Sequence, residues 1–108
     1  MLCMLTVRRL KPGVEKDFER AWAPERWHPR MERAYHLRRQ EDPREVITLA
    51  FFEGDAQEID AMRDDPHWMA GEERRLAGIA PLEDELVLTG VFEVVEAIQG
   101  ARAERAGR

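Results

Sequence analysis

The side chains in this sequence best suited to proton or metal chemistry are three histidines, His28, His36 and His67. Zinc sites use close ligand pairs, such as two His at i and i+4. None of these His has such a His or Cys partner, so no metal site is expected. His67 directly follows Asp65-Pro66, a sequence that begins a helix, and so falls in a first helical turn. A neutral imidazole there serves as base, ligand or hydrogen-bond donor. The alternative is an imidazole bonded to Asp64 or to backbone. His36 and Arg38 lie two residues apart on one face of an expected strand. They either line a polar pocket edge or form an exposed edge, and the planar Arg38 fork suits an anionic group. Aromatic side chains line small-molecule pockets. Trp27 and Trp68 sit near element ends, which makes them pocket candidates together with Phe52. Trp22 belongs to a helical stripe and reads as core. The expected site is thus catalytic His67 with Trp27, His36, Arg38, Phe52 and Trp68 around a small hydrophobic or aromatic ligand.

Other chemistries are excluded by composition. The chain contains no serine, so a Ser-based triad is impossible. Gly13, Gly54, Gly71 and Gly78 are isolated and make no phosphate loop. Glu72-Glu73, beside Arg74 and Arg75, read as helix surface. Cys3 is the sole cysteine, which rules out an internal disulfide. It reads as a small buried hydrophobe in a strand. A formal net charge of −5, from 17 basic and 22 acidic residues, argues against a nucleic-acid partner. The charge is uneven. Residues 20–44 hold seven Arg against four acids, and residues 53–85 hold eleven acids against three Arg. Those regions either attract each other across an interface or form a solvated mixed surface. No apolar run approaches the roughly 20 residues that span a bilayer. Met1–Arg9 carries its charges after its apolar residues, unlike a signal peptide. No membrane association and a cytoplasmic location are expected.

The elements that must position these residues follow from periodicity. At 108 residues the chain is one domain's worth. Met1–Leu10 is a short apolar strand closed by Lys11-Pro12-Gly13. Val14, Phe18, Ala21 and Trp22 then form one helical stripe. Pro24 either stops that helix or opens a further turn carrying Trp27. Met31–Gln40 is a charge-rich strand suited to a sheet edge. It joins Val46–Phe52 through a turn at Glu41-Asp42-Pro43-Arg44. Asp55 and Glu58 fit a capping box, and Asp65-Pro66 starts a second helical piece that Pro81 ends. Glu85–Ile98 is the last strand, with Leu86, Leu88, Phe92 and Val94 alternating against Val87, Val91 and Val95. The expected domain is residues 1–99, with a flexible tail at 100–108.

The order β-α-β-β-α-β is that of the α+β ferredoxin-like fold with a four-stranded antiparallel sheet. Its two crossovers share one hand, so both helical segments cover the same face. The last two strands are apolar on both faces, although a solvent-facing strand should alternate with polar residues. An uncovered apolar face of this size is rarely left exposed in a monomer. A second copy of the sheet is the simplest cover, giving a homodimer that closes as a dimeric α/β barrel.

From Met1 to about Ile98 the sequence resembles the dimeric α/β-barrel superfamily, in its antibiotic-biosynthesis-monooxygenase-like branch. The resemblance is carried by Leu10-Lys11-Pro12-Gly13, His28-Pro29-Arg30-Met31, Tyr35-His36-Leu37-Arg38 with Asp42-Pro43 and Phe51-Phe52-Glu53, and Asp65-Pro66-His67-Trp68. Members of that branch include cofactor-free quinone-forming oxygenases, haem-degrading enzymes and proteins of unknown role. The haem-degrading group has an Asn on strand one, a Trp ending strand three and a His on helix two. This chain has no Asn, Phe52 at the Trp position and Gly71 at the His position, which argues against haem degradation. The cofactor-free oxygenases also use Asn and Trp near the pocket, which leaves His67 and Trp68 as substitutes. The resemblance thus implies a cofactor-free, monooxygenase-like small-molecule domain. The alternative is a non-catalytic dimeric regulatory or structural module, marked by a filled interior.

Overall fold

The protein is described from a computed structural model covering residues 1–24 and 26–101. The expected tail lies, from residue 102 on, outside the described residues. Four strands and three helices follow in order: β1 (Leu2–Leu10), α1 (Glu15–Trp22), β2 (Met31–Arg38), β3 (Glu45–Phe52), α2 (Ala56–Met62), α3 (Pro66–Ile79) and β4 (Glu83–Glu93). A 3-10 turn over Ala80–Leu82 joins α3 to β4. The strands form one antiparallel sheet in the order β2-β3-β1-β4, so β2 stands at an edge as its charges predict.

Local chemistry sets the boundaries. Gly13 takes a φ of +79°, which only glycine adopts freely, and turns the chain from β1 into α1. The Asp55 carboxylate accepts the Glu58 N–H and opens α2. Asp65 Oδ1 accepts the His67 N–H at 2.9 Å and caps α3, with Pro66 in its first turn. In the β2–β3 turn, Asp42 accepts the Arg44 N–H at 3.1 Å and pairs with Arg9 at 2.8 Å.

Residues paired across an antiparallel ladder share a face. Leu10, Val46, Phe18 and Ile79 form one buried cluster between the sheet and α1 and α3. Phe52, Ile59 and Met62 form another beneath α2, with Leu2, Met4, Met31, Ala50 and Trp68 against it. All the helices therefore cover one face, as the shared crossover hand requires. The opposite face presents Leu5, Val7, Tyr35, Leu37, Ile47, Leu49, Phe51, Leu88 and Phe92, with none of α1, α2 and α3 over it. Phe51 and Phe92 flank Cys3 there and bury it, and that burial raises its thiol pKa.

Register shifts alter two of the expected faces. Alternation along Met31–Gln40 puts Met31, Tyr35 and Leu37 on one face, but a shift between Met31 and Arg33 moves Met31 to the other side and into the core beside Phe52. Another shift sets Leu86 opposite Arg8 but Leu88 opposite Val7, so these two leucines face opposite sides. Strict alternation puts them on one side, and a single extra residue reverses every face beyond it. The strand also stops at Glu93, short of Ile98, because β1 begins at Leu2 and offers no further ladder partner. Val95 and Ile98 beyond it are exposed. The opposed charge stretches pair within the chain, through Arg30 with Glu58 and Arg44 with Asp84.

Candidate functional site

The two core clusters do not meet. Along the covered face β1 reads Leu2, Met4, Thr6, Arg8, Leu10, and β3 reads Val46, Thr48, Ala50, Phe52. The apolar ends belong to the two clusters, while Thr6, Arg8 and Thr48 lie between them. Polar side chains in the middle of a covered sheet face keep the core from closing. A cleft of about 90 Å³ opens there, bounded by the sheet, α1, α3 and the α1–β2 loop.

Its floor is built around Arg8, which is only 6% exposed. Arg8 Nε donates to Glu83 Oε1 at 3.0 Å, and Nη1 donates to Thr48 Oγ1 at 3.4 Å. The guanidinium lies 5.9 Å from the Phe18 ring centroid, within cation–π range. Burial lowers the Arg8 pKa, Glu83 opposes that, and the positive charge of Arg75 adds to it. Thr6 and Thr89 share a hydroxyl–hydroxyl bond of 3.0 Å beside it.

One face of α3 forms the opposite wall. Trp68, Glu72 and Arg75 fall at i, i+4 and i+7, so all three project to the cleft. Arg75 grips Glu72 with two bonds, Nε at 3.1 Å and Nη2 at 2.8 Å, and donates Nη1 to the Trp22 carbonyl at 3.3 Å. Glu72 and Arg75 are thus cleft residues rather than free helix surface, while neighbouring Glu73 and Arg74 stay exposed.

Aromatic rings make the remaining wall. Trp22 and Trp27 meet edge to face at 5.7 Å. His28 stands edge-on to Trp68 at 5.0 Å and lies 6.3 Å from Phe52. All three tryptophans of the chain therefore line the same cleft. Trp27, 41% exposed, stands at its rim. His28 Nδ1 accepts the Arg30 N–H at 3.1 Å, which places the proton of the neutral ring on Nε2. Burial, and then the Arg30 charge, lower the His28 pKa against the pull of Asp65, so the ring is neutral at pH 7.

Of the residues singled out from sequence, Trp27, Phe52 and Trp68 come together in the cleft. His36 packs behind it, 5.2 Å from Phe18 and 5.5 Å from Trp22, with Nε2 buried and unpartnered among the described residues. Arg38 lies elsewhere, in a shallow depression with Leu37, Arg39, Glu45 and Ile47. His67 is exposed at the start of α3 and does not line the cleft. Arg8, His28, Glu72 and Arg75 were not singled out as site residues. His28 left a signal as one of three histidines, and Arg8 left one as a charge two residues before the apolar strand end at Leu10. No group of three His, Cys, Asp or Glu side chains suited to a metal ion occurs among the described residues. No helix among them is long and apolar enough to cross a membrane.

The sequence matches no family model and no curated protein. Solved structures do match the fold. A proposed antibiotic biosynthesis monooxygenase from Chloroflexus aurantiacus aligns with a TM-score of 0.67 at 13% identity, covering 91% of this chain and 96% of its own. One from Nitrosomonas europaea aligns at 0.67 and 14%, covering 89% and 100%. Another, from Bordetella bronchiseptica, aligns at 0.67 and 16%, covering 88% and 97%. At these identities the likeness is one of fold, and it bears out the ferredoxin-like βαββαβ architecture of antibiotic-biosynthesis-monooxygenase-like proteins.

Proposed function

We propose that this chain is a monooxygenase-like small-molecule-binding domain that works as a homodimer, with a compact planar aromatic ligand held in the cleft of each subunit. The observation that carries this reading is the convergence of every tryptophan on one open cleft with a buried charge at its floor. Rings lining a concavity with a few placed polar groups are the usual make-up of a small-molecule site. A regulatory or structural module would be better served by a filled interior. Here Thr6, Arg8 and Thr48 hold the interior open. The fold of the proposed monooxygenases aligned above supports an oxygen-dependent reaction on that ligand. His28, with its proton on Nε2, supplies a donor, and Glu72, fixed by Arg75, supplies an acceptor. The bare sheet face supports the dimer, since its exposed Tyr35, Leu37, Leu88 and Phe92 need cover.

Tryptophan fluorescence tests this reading, because all the signal comes from the cleft. A panel of small planar aromatic compounds, dihydroxynaphthalenes among them, should include members that change the emission saturably. Trp68→Ala should weaken the best of them by roughly tenfold, as expected for losing an aromatic wall. Oxygen consumption in the same mixtures reads out turnover. If no compound in the panel alters the emission, the binding reading fails.

A further inference from the structure

The cleft floor holds a cation whose hydrogen bonding is incomplete. Arg8 is 6% exposed, yet its Nε and Nη1 bonds leave Nη2 without a partner among the described residues. Its carboxylate partner, Glu83, keeps 25% of its side chain exposed and sits to one side, at the start of β4. Every nitrogen of Arg75, the second guanidinium on the cleft, already donates to Glu72 or to the Trp22 carbonyl, which fixes its fork and leaves one N–H each on Nη1 and Nη2. Its charge is offset by Glu72, but it still bears on Arg8. His36 Nε2 is the only fully buried side-chain polar atom without a partner among the described residues, so Arg8 Nη2 keeps access to the cleft, and a ligand that covers it is disfavoured unless it meets those donors. The planar fork of Arg8 matches two oxygens of a planar anion. Thr48 at the same point of the floor adds a hydroxyl. The aromatic walls begin immediately beyond, at Trp22, Trp68 and Phe52.

We propose that the ligand of this cleft is an aromatic acid whose carboxylate docks on Arg8, with its ring against Trp68, Trp27 and Phe52. The proposal rests on the cleft being the binding site inferred above, and it adds the class of ligand. Arg8 is then the specificity-determining residue. A neutral amide of the same shape offers one acceptor oxygen and no charge, so one Nη2 donor is left unpaired and the guanidinium is not neutralised, which disfavours that ligand more than lost contact area does.

The test compares benzoate with benzamide, two probes of nearly equal size that differ in charge. Their binding is followed on the three indole N–H signals in the nitrogen-15 spectrum of the intact protein. Benzoate should bind roughly tenfold more tightly than benzamide, the gain expected of a charge-assisted bond in a desolvated site. Arg8→Gln should erase that preference, so that benzoate binds the variant no more tightly than benzamide does. Because Arg8→Gln leaves Glu83 unpaired, the pair Arg8→Gln with Glu83→Gln is run beside it, and circular dichroism reports whether each variant folds. Equal affinities in the wild type overturn the aromatic-acid assignment while leaving a binding cleft. A benzoate preference that survives in a folded Arg8 variant overturns the role of Arg8. If neither probe moves an indole signal, the acid assignment is overturned, and the fluorescence panel then decides whether the cleft binds other compounds.

Discussion

The two faces of the one sheet invert the usual arrangement in opposite ways. The covered face carries a buried charge at its centre, and the bare face carries large apolar side chains in the open. Exposed single hydrophobes are ordinary, whereas a buried charge or a contiguous apolar patch calls for a reason. Each face has the reason the other lacks. Arg8 sits where the core of two helices and a sheet should close, and it keeps the core divided. Leu88, Phe92, Tyr35 and Leu37, each between 45% and 48% exposed, form a surface that no helix among the described residues covers. The cleft lies on the covered face and the apolar patch on the bare one.

This contrast is easiest to break at Phe18, a fully buried side chain on the covered side. It fills the space under Arg8 and beside His36. Phe18→Ala should cost about 3–5 kcal/mol, the range for emptying a buried aromatic site. A urea unfolding curve measures it. A shift corresponding to less than about 1 kcal/mol would mean that the cleft collapses to fill the hole and that its opening is not rigid.

The bare face should respond in the opposite sense. Leu88→Glu introduces a charge at a position already 48% exposed in the single chain. The unfolding free energy of the monomer should change by no more than about 0.5 kcal/mol. Mass in solution at micromolar concentration should fall from dimer to monomer, because a charge buried without a partner in the interface is far more costly than one in water. A wild-type protein that is already monomeric, or a variant that stays dimeric, would remove the case for pairing through this face.

The smallest effect sharpens the covered side alone. Burial lowers the pKa of His28 and of His36 from the ordinary 6.5. A histidine whose folded pKa lies below its unfolded value favours the folded state fully while neutral. That contribution is lost as pH falls through 6.5 and on to the folded value. Stability should therefore decline between pH 7 and pH 5, and His36→Gln should flatten part of the decline. An unchanged slope would place its ring in water and not against Phe18 and Trp22.

These effects trace back to information of different kinds. Periodicity in the sequence determined the elements. The stripe of Val14, Phe18, Ala21 and Trp22 became α1, and the Asp55 and Asp65 caps opened α2 and α3, since these signals act within a few residues. The element order determined the sheet topology and the existence of an uncovered face, because crossover hand leaves little choice. Three pocket walls were legible from type and place, namely Trp27, Phe52 and Trp68.

Only the tertiary structure decided what faces them. Arg8 and Thr48 are 40 residues apart and Arg8 and Glu83 are 75 apart, and the ladder register alone brings them together. Glu72 and Arg75 look from sequence like any paired charges on a helix. Which side of α3 they occupy depends on how that helix is rotated over the sheet. A single-residue shift in β4 likewise set Leu86 and Leu88 on opposite faces, as no alternation count foretells. Local signals thus fix what each segment becomes. The meeting of buried charges is settled by register and helix rotation, where an error of one residue changes every neighbour.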